Sequence, residues 1–277
     1  MDRKLLSWVN DRNAEGIKPL EIAAAVAREA AKQKGLPLDG NQPDLLNIGT
    51  VHAPKETEYT ADMIGSVYEQ SLDSSARRHG GVHYTPYEVA KRLARIALSE
   101  LPFGPICDPS VGGGAFLLAA AEYLSEKGVS PKKIIEEYLW GIDLDQGAIE
   151  VSRASISIWG STKVWIPVNE HFAVANSLQS GMRSFLVPPK KGFIAVIGNP
   201  PFQNQLQETT VRPIEETQKL REKWNVNAGP YADTASYFLL VALSMLGPKG
   251  KCLLIQPQSI LAAVDAKPIR DLSLIHI

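Results

Sequence analysis

The sequence predicts an α/β fold, a parallel sheet with helices on both faces, preceded by a helical segment. Three observations carry that expectation. From Pro105 onward, short apolar runs alternate with helix-like stretches, the rhythm of βαβ units. The first of these runs ends in Gly112-Gly113-Gly114, directly before an apolar helical pattern, which reads as a tight strand-to-helix turn. The chain has 277 residues, 44% hydrophobic and 21% charged. That suits one large domain, or one domain with an appendage, and excludes a wholly disordered chain.

In chain order, Ile22 to Lys34 is Ala-rich with charges on one side, and Gly35 and Pro37 stop it, so it reads as a helix. Residues 36–57 carry Pro37, Gly40, Pro43, Gly49 and Pro54 and read as loop. Met63, Ile64, Val67, Tyr68 and Leu72 recur at helical spacing within Ala61 to Arg77, predicting a second helix there. Thr85 and Pro86 look like an N-cap and a first helical residue, predicting a helix to about Leu98. Strands are then expected at Ile106–Asp108, Tyr138–Ile142, Phe172–Ala175, Phe193–Gly198 and Lys251–Gln256, with helices at Ala115–Glu126, Gln146–Ser157 and Ala235–Leu246. The segment 203–231 is polar and long for a connection, and such loops tend to be functional or mobile.

Lys+Arg 29 against Asp+Glu 30 gives a formal charge of -1, so the whole chain is not a basic sleeve for nucleic acid, although a local patch is allowed. Arg77, Arg78, His79, Lys91 and Arg92 form a modest basic stretch, read first as a solvated helix face. Cys107 and Cys252 sit in apolar runs, which suits reduced, buried thiols. The N-terminus has no signal-peptide core, and the longest apolar run, Tyr237 to Leu246, is too short to span a bilayer. A cytoplasmic protein is expected, without a membrane or metal site.

Three constellations carry chemistry. Asp108-Pro109-Ser110-Val111-Gly112-Gly113-Gly114-Ala115-Phe116-Leu117 ends a strand and opens a helix. There the backbone can approach a ligand and a helix N-terminus offers free amides; a plain tight turn is the alternative. The dinucleotide fingerprint fits worse, because Leu117 stands where its third glycine belongs. Next, Asp143 ends the neighbouring strand and can accept hydrogen bonds from a ribose diol, whereas Asp145 suits a helix cap. Third, Asn199-Pro200-Pro201-Phe202 follows another apolar strand. It offers a fixed amide, a carbonyl acceptor in rigid backbone and a ring for stacking, which together suit a flat substrate bearing an amino group; a structural Pro-Pro turn is the alternative.

Taken in order, these motifs resemble the N6-adenine DNA methyltransferases of restriction-modification and phage-defence systems, over about residues 60 to 270. His83-Tyr84-Thr85-Pro86, the loop from Asp108 to Leu117, Gly141-Ile142-Asp143, Asn199-Pro200-Pro201-Phe202, and Gly250 with Pro257 match that family's motifs. The resemblance implies a Rossmann-like S-adenosylmethionine-dependent methyltransferase fold. It implies methyl transfer to the N6 of an adenine flipped out of DNA, with Asn199, Pro200, Pro201 and Phe202 catalytic. Tyr84, Thr85, Asp108, Ser110, Gly112, Gly114, Phe116 and Asp143 would bind the cofactor. Asn176 stands where the family often has an acid facing the cofactor's adenine amino group and can still accept through its side-chain oxygen. A specificity or nuclease subunit is an implied partner. Methylation of a protein glutamine or an RNA amino group is an alternative reading, as is a non-catalytic cofactor-binding subunit.

The family's sheet has seven strands, whereas five are read here, so the sheet is expected to be incomplete and the sequence a C-terminally truncated fragment. Residues 1–60 would form an N-terminal helical segment and 61–277 the catalytic domain. Leu272-Ser273-Leu274-Ile275-His276-Ile277 equals the translation of a common sequencing-adapter end, so residues 272–277 are expected to be non-native, the alternative being a natural apolar strand end.

Overall fold

In this computed structural model the described residues are 3–38, 40–72, 85–168, 170–202, 214–226, 228 and 232–275. Among them five strands form one sheet: β1 (Ile106–Asp108), β2 (Leu139–Asp143), β3 (Phe172–Val174), β4 (Phe193–Gly198) and β5 (Leu246–Leu254), in the order β3-β2-β1-β4-β5. Every pairing is parallel. The chain steps outward from β1 through β2 to β3, then returns to the other side of β1 for β4 and β5. The direction of winding therefore reverses between β1 and β4, and a crevice opens beyond the carboxyl ends of those two strands, where open α/β sheets take their ligands.

The helices are α1 (Arg3–Ala14), α2 (Pro19–Gln33), α3 (Ala61–Ser71), α4 (Tyr87–Leu98), α5 (Ala115–Glu126), α6 (Gln146–Gly160), α7 (Ile214–Trp224), α8 (Thr234–Met245) and α9 (Lys267–Ile275), with shorter turns between. Successive strand residues point to opposite faces. Ile106, Leu139, Ala195 and Ile197 pack under α4 and α5, while Cys107, Trp140, Ile142 and Val196 pack under α8. Both faces are covered, which is why the strands read as continuous apolar runs rather than alternating ones. Cys107 is buried and Cys252 half-buried, both as free thiols.

The predicted strands recur within a residue or two, except that β5 begins at Leu246. Its pairing jumps from Phe193↔Leu246 to Ala195↔Lys251, so residues 247–250 bulge out and the regular part starts at Lys251, where the sequence put it. Helix α6 runs three residues further than predicted, to Gly160. Helix α1 was not singled out by the sequence. The helix expected over Ala61 to Arg77 is described as far as Ser71; Arg77, Arg78, His79, His83 and Tyr84 lie outside the described residues, as do most of 203–231, although α7 forms within that polar segment. Residues 272–275 continue α9 as helix, which corrects the strand-end alternative, and Leu272 packs against the core under α8.

The N-terminal helices form a third cluster against the outer side of α6. Ile22, Val26 and Ala30 of α2 and Ile64, Val67 and Tyr68 of α3 meet Ala148, Val151, Ala154 and Ile158 of α6. Helix α3 thus packs with α1 and α2 as well as with the sheet domain. Polar contacts pin this layer. The Lys34 ammonium donates to the Ile158 and Trp159 carbonyls at 2.6 and 2.7 Å, satisfying carbonyls that the C-terminus of α6 leaves open. The Trp165 indole donates to the Pro37 carbonyl at 2.7 Å.

Candidate active site

The loop after β1 is held by three carboxylates. Asp108, 1% exposed, accepts from the Ser110 amide at 2.9 Å. Asp143, at the end of β2, accepts from the Gly112 amide at 2.9 Å with one oxygen and from the Asp145 amide at 3.0 Å with the other. Glu69, from α3, accepts from the Gly113 amide at 2.8 Å. The Val111 amide donates to the Ile142 carbonyl and the Gly114 amide to the Val111 carbonyl. Every amide from Ser110 to Gly114 is therefore bound inside the protein. The loop's own amides are thus taken by the protein, while no side chain caps the first turn of α5, which begins at Ala115. With three acids around it, the loop suits a ligand carrying positive charge.

Burial pushes all three acids upward. Asp108 is pushed up to about 8, with Asp143 and Glu69 adding repulsion. Glu69 is pushed up to about 7 by burial and then by Asp143. Asp143 is also raised, mainly by burial. The hydrogen bonds from the loop oppose these shifts, because they stabilise the charged forms.

Helix α3 braces this loop from behind. Gly65 and Gly113 meet backbone to backbone: a Cβ on Gly65 would lie 2.2 Å from the Gly113 carbonyl oxygen, and one on Gly113 would lie 2.6 Å from the Gly65 Cα. The Tyr68 hydroxyl donates to the Asp145 carboxylate, whose other oxygen caps α6 through the Gly147 amide at 2.8 Å. Asp145 is thus the cap that the sequence suggested. Ser152 of α6 donates to the Gly112 carbonyl at 2.6 Å. Gly114 adopts φ +87 just before α5, a left-handed conformation that favours glycine.

Across the crevice, Asn199 and Pro200 follow β4. The Asp108 carboxylate lies against Gly198, so close that a Cβ there would come within 2.5 Å of its oxygen; this contact places the loop acid beside the Asn-Pro-Pro-Phe segment. The Asn199 side-chain amide donates to the Thr85 hydroxyl at 2.9 Å. With its nitrogen directed at Thr85, the amide presents its oxygen as an acceptor. Pro200 is buried and Pro201 and Phe202 are half-buried. The Ile255 amide donates to the Gly198 carbonyl at 3.0 Å, tying the end of β5 to the same turn.

The remaining expected site residues fall as follows. Thr85, 8% exposed, does not cap α4, which starts after Pro86 without a side-chain cap; its hydroxyl goes to Asn199. Asn176 uses its side-chain oxygen to cap the turn Ser177–Ser180 through the Leu178 amide at 3.0 Å, a local role the sequence did not assign. Phe116 is 3% exposed and packs in the core under α4 and α5, so it supports the loop rather than lining the crevice. Ser110 contributes its amide. Tyr84 lies outside the described residues. In the basic stretch, Lys91 pairs with Glu122 at 3.1 Å, as a helix-face residue does. Sequence reasoning missed Gly65, Tyr68 and Glu69. The available signal was a glycine in the middle of a helix, which costs about 1 kcal/mol relative to Ala and so asks for a packing reason.

Comparison with known proteins matches the family described as N-6 DNA Methylase to residues 59–272. The chain is 24% identical over 200 residues to the type II methyltransferase M.VspI of Vibrio sp. (strain 343), covering 71% of this chain and 41% of that one. It spans about two fifths of the length of the curated relatives it matches. Among solved structures, the type IIL restriction-modification enzyme MmeI in complex with DNA superposes with a TM-score of 0.62 at 14% identity, over 91% of this chain and 44% of that one. A class I S-adenosylmethionine-dependent methyltransferase described from Listeria monocytogenes gives 0.56 at 15% identity, over 94% and 73%.

Proposed function

We propose, from the premise that this chain belongs to the N-6 DNA methylase family, that it carries the catalytic centre of a restriction-modification or phage-defence methyltransferase acting on adenine N6 in DNA, with S-adenosylmethionine as methyl donor. The observation that carries this reading is the pairing of two unlike features across one crevice. A loop ringed by Asp108, Asp143 and Glu69 ends β1, and an amide oriented by Thr85 ends β4.

The donor set fits the cofactor. Asp143 can accept from a ribose diol while holding Gly112, since each carboxylate oxygen has a further lone pair. The acidic ring favours a cation. S-adenosylmethionine supplies a methyl group on a positively charged sulfur, an electrophile strong enough that no covalent enzyme nucleophile is required. The protein's task lies with the amine, whose lone pair is delocalised into the purine ring. The Asn199 side-chain oxygen and the Pro200 carbonyl would accept its two N–H groups, favouring a pyramidal nitrogen and stabilising the charge that develops there. Phe202 would stack on the base. The adenine must leave the duplex to reach this place, at a cost of a few kcal/mol of unstacking.

DNA is the proposed substrate, a specificity or nuclease component the proposed partner, and the cytoplasm the proposed location. Among the described residues no helix is long and apolar enough to cross a membrane. The reading is tested by calorimetric titration with S-adenosylmethionine, followed by transfer of a labelled methyl group to unmethylated DNA and digestion to nucleosides. Cofactor binding and label in N6-methyladenine are the expected results. A folded chain that binds no cofactor, or label on another base, would overturn the proposal.

A further inference from the structure

We infer that Glu69, on a helix with no recognisable chemical motif, is a cofactor-binding residue: one carboxylate oxygen holds the glycine loop and the other receives a positive charge on the methionyl part of the cofactor. The inference rests on the proposed use of S-adenosylmethionine and assigns a residue that the family's motifs quoted above do not include.

Glu69 reaches the loop from α3, and one of its oxygens accepts from the Gly113 amide at 2.8 Å. Among the described residues no donor reaches its second oxygen. The neighbouring acids are Asp108 and Asp143, whose charges repel it. None of the ion pairs among the described residues involves Glu69, Asp108 or Asp143. Three close carboxylates without a counter-ion among the described residues are costly to hold in the ionised state, and the loop amides compensate only part of that cost. Helix α3 does not drift away from this repulsion, because Gly65 locks it against Gly113 and Tyr68 ties it to Asp145. The fold thus keeps a carboxylate pointed at a site where the ligand is the natural counter-ion. Two groups of the cofactor can play that part, its sulfonium and its α-ammonium.

Glu69→Gln separates bracing from binding. The amide keeps an acceptor oxygen for Gly113 and removes only the charge. Its affinity is measured by calorimetry for three ligands: S-adenosylmethionine, with both charges; S-adenosylhomocysteine, with the ammonium alone; and 5′-methylthioadenosine, with neither. The expected result is a ten- to hundredfold loss for S-adenosylmethionine and no change for 5′-methylthioadenosine, whose binding also shows that the loop is intact. A parallel loss for S-adenosylhomocysteine identifies the ammonium; its absence identifies the sulfonium. Either supports the assignment. Equal losses for all three ligands, or none for any, would overturn it and leave Glu69 as a brace. If Glu69→Gln does not fold, Glu69→Asp, which retains the charge one methylene further back, should show the same selectivity at smaller size, and an unselective loss there also overturns the assignment. Failure of the parent chain to bind S-adenosylmethionine would instead sink the functional reading on which this one rests.

Discussion

At the end of β1 the site presents backbone: five consecutive amides, Ser110 to Gly114, are each bound to an acceptor within the protein, three of them to carboxylates. At the end of β4 it is built from side chains: the Asn199 amide is oriented by the hydroxyl of Thr85, 114 positions earlier. The difference separates two kinds of dependence. The loop after β1 is vulnerable at the three acids that hold its amides, Asp108, Asp143 and Glu69, and where backbones touch. A side-chain-built acceptor depends on the identity of a very few residues. Changes on the first side should therefore appear as affinity or stability, and changes on the second as turnover.

The sharpest way to break this comparison is Asn199→Ala. It should lower methyl transfer by about 10²–10³, the loss typical of removing one group that stabilises transition-state charge, with cofactor affinity unchanged; single-turnover assays beside calorimetry would read both, and a matching loss of affinity would erase the distinction. Asp143→Ala should do the reverse, weakening cofactor binding by about 1.5–3 kcal/mol. Gly113→Ala forces a Cβ to 2.6 Å from the Gly65 Cα and should destabilise the chain by about 1–3 kcal/mol, seen as a lower urea midpoint with an unchanged slope. Ionisation tests the same side. Asp108 and Glu69 sit raised, at about 8 and about 7, so the folded chain keeps protons that an unfolded chain would have released. The stability they lend is complete at acid pH, below the ordinary carboxylate range, and is lost as pH rises through 7 and 8. Thermal scans should show the midpoint falling over that window, and falling less for Glu69→Gln. The smallest effect is expected from Thr85→Val, about 1 kcal/mol in turnover from a lost neutral hydrogen bond, with Thr85→Ser restoring it and cofactor affinity unmoved.

What the sequence made legible was local. β1, β4 and α5 have the bounds that the apolar runs and the glycine turn gave them, because a buried parallel strand and the helix after it are each written in a few consecutive residues. Asp145 was readable as a cap for the same reason: its partner, Gly147, is two residues away. What was not legible depends on contacts made far along the chain. Glu69 and Gly113 are 44 positions apart, so neither periodicity nor motif spacing joins them. Thr85 looked like a cap because the residues after it are helical, yet its hydroxyl is taken by a side chain that arrives four strands later. Asn176 was read through the role its position suggested, while its oxygen serves the turn that it opens. Phe116 was drawn into the ligand set by the resemblance of the glycine loop to the family's motif, while its side chain packs in the core.

The contact between Gly65 and Gly113 has a genetic consequence. Most tight contacts can be repaired from the other side: when one partner grows, the other can shrink. Here both partners already lack a side chain, so neither can yield to a change in the other. A search for suppressors of Gly113→Ala should find none at position 65. It should find them instead where α3 seats on α6, among residues such as Val67 and Val151, whose trimming lets the whole helix step back.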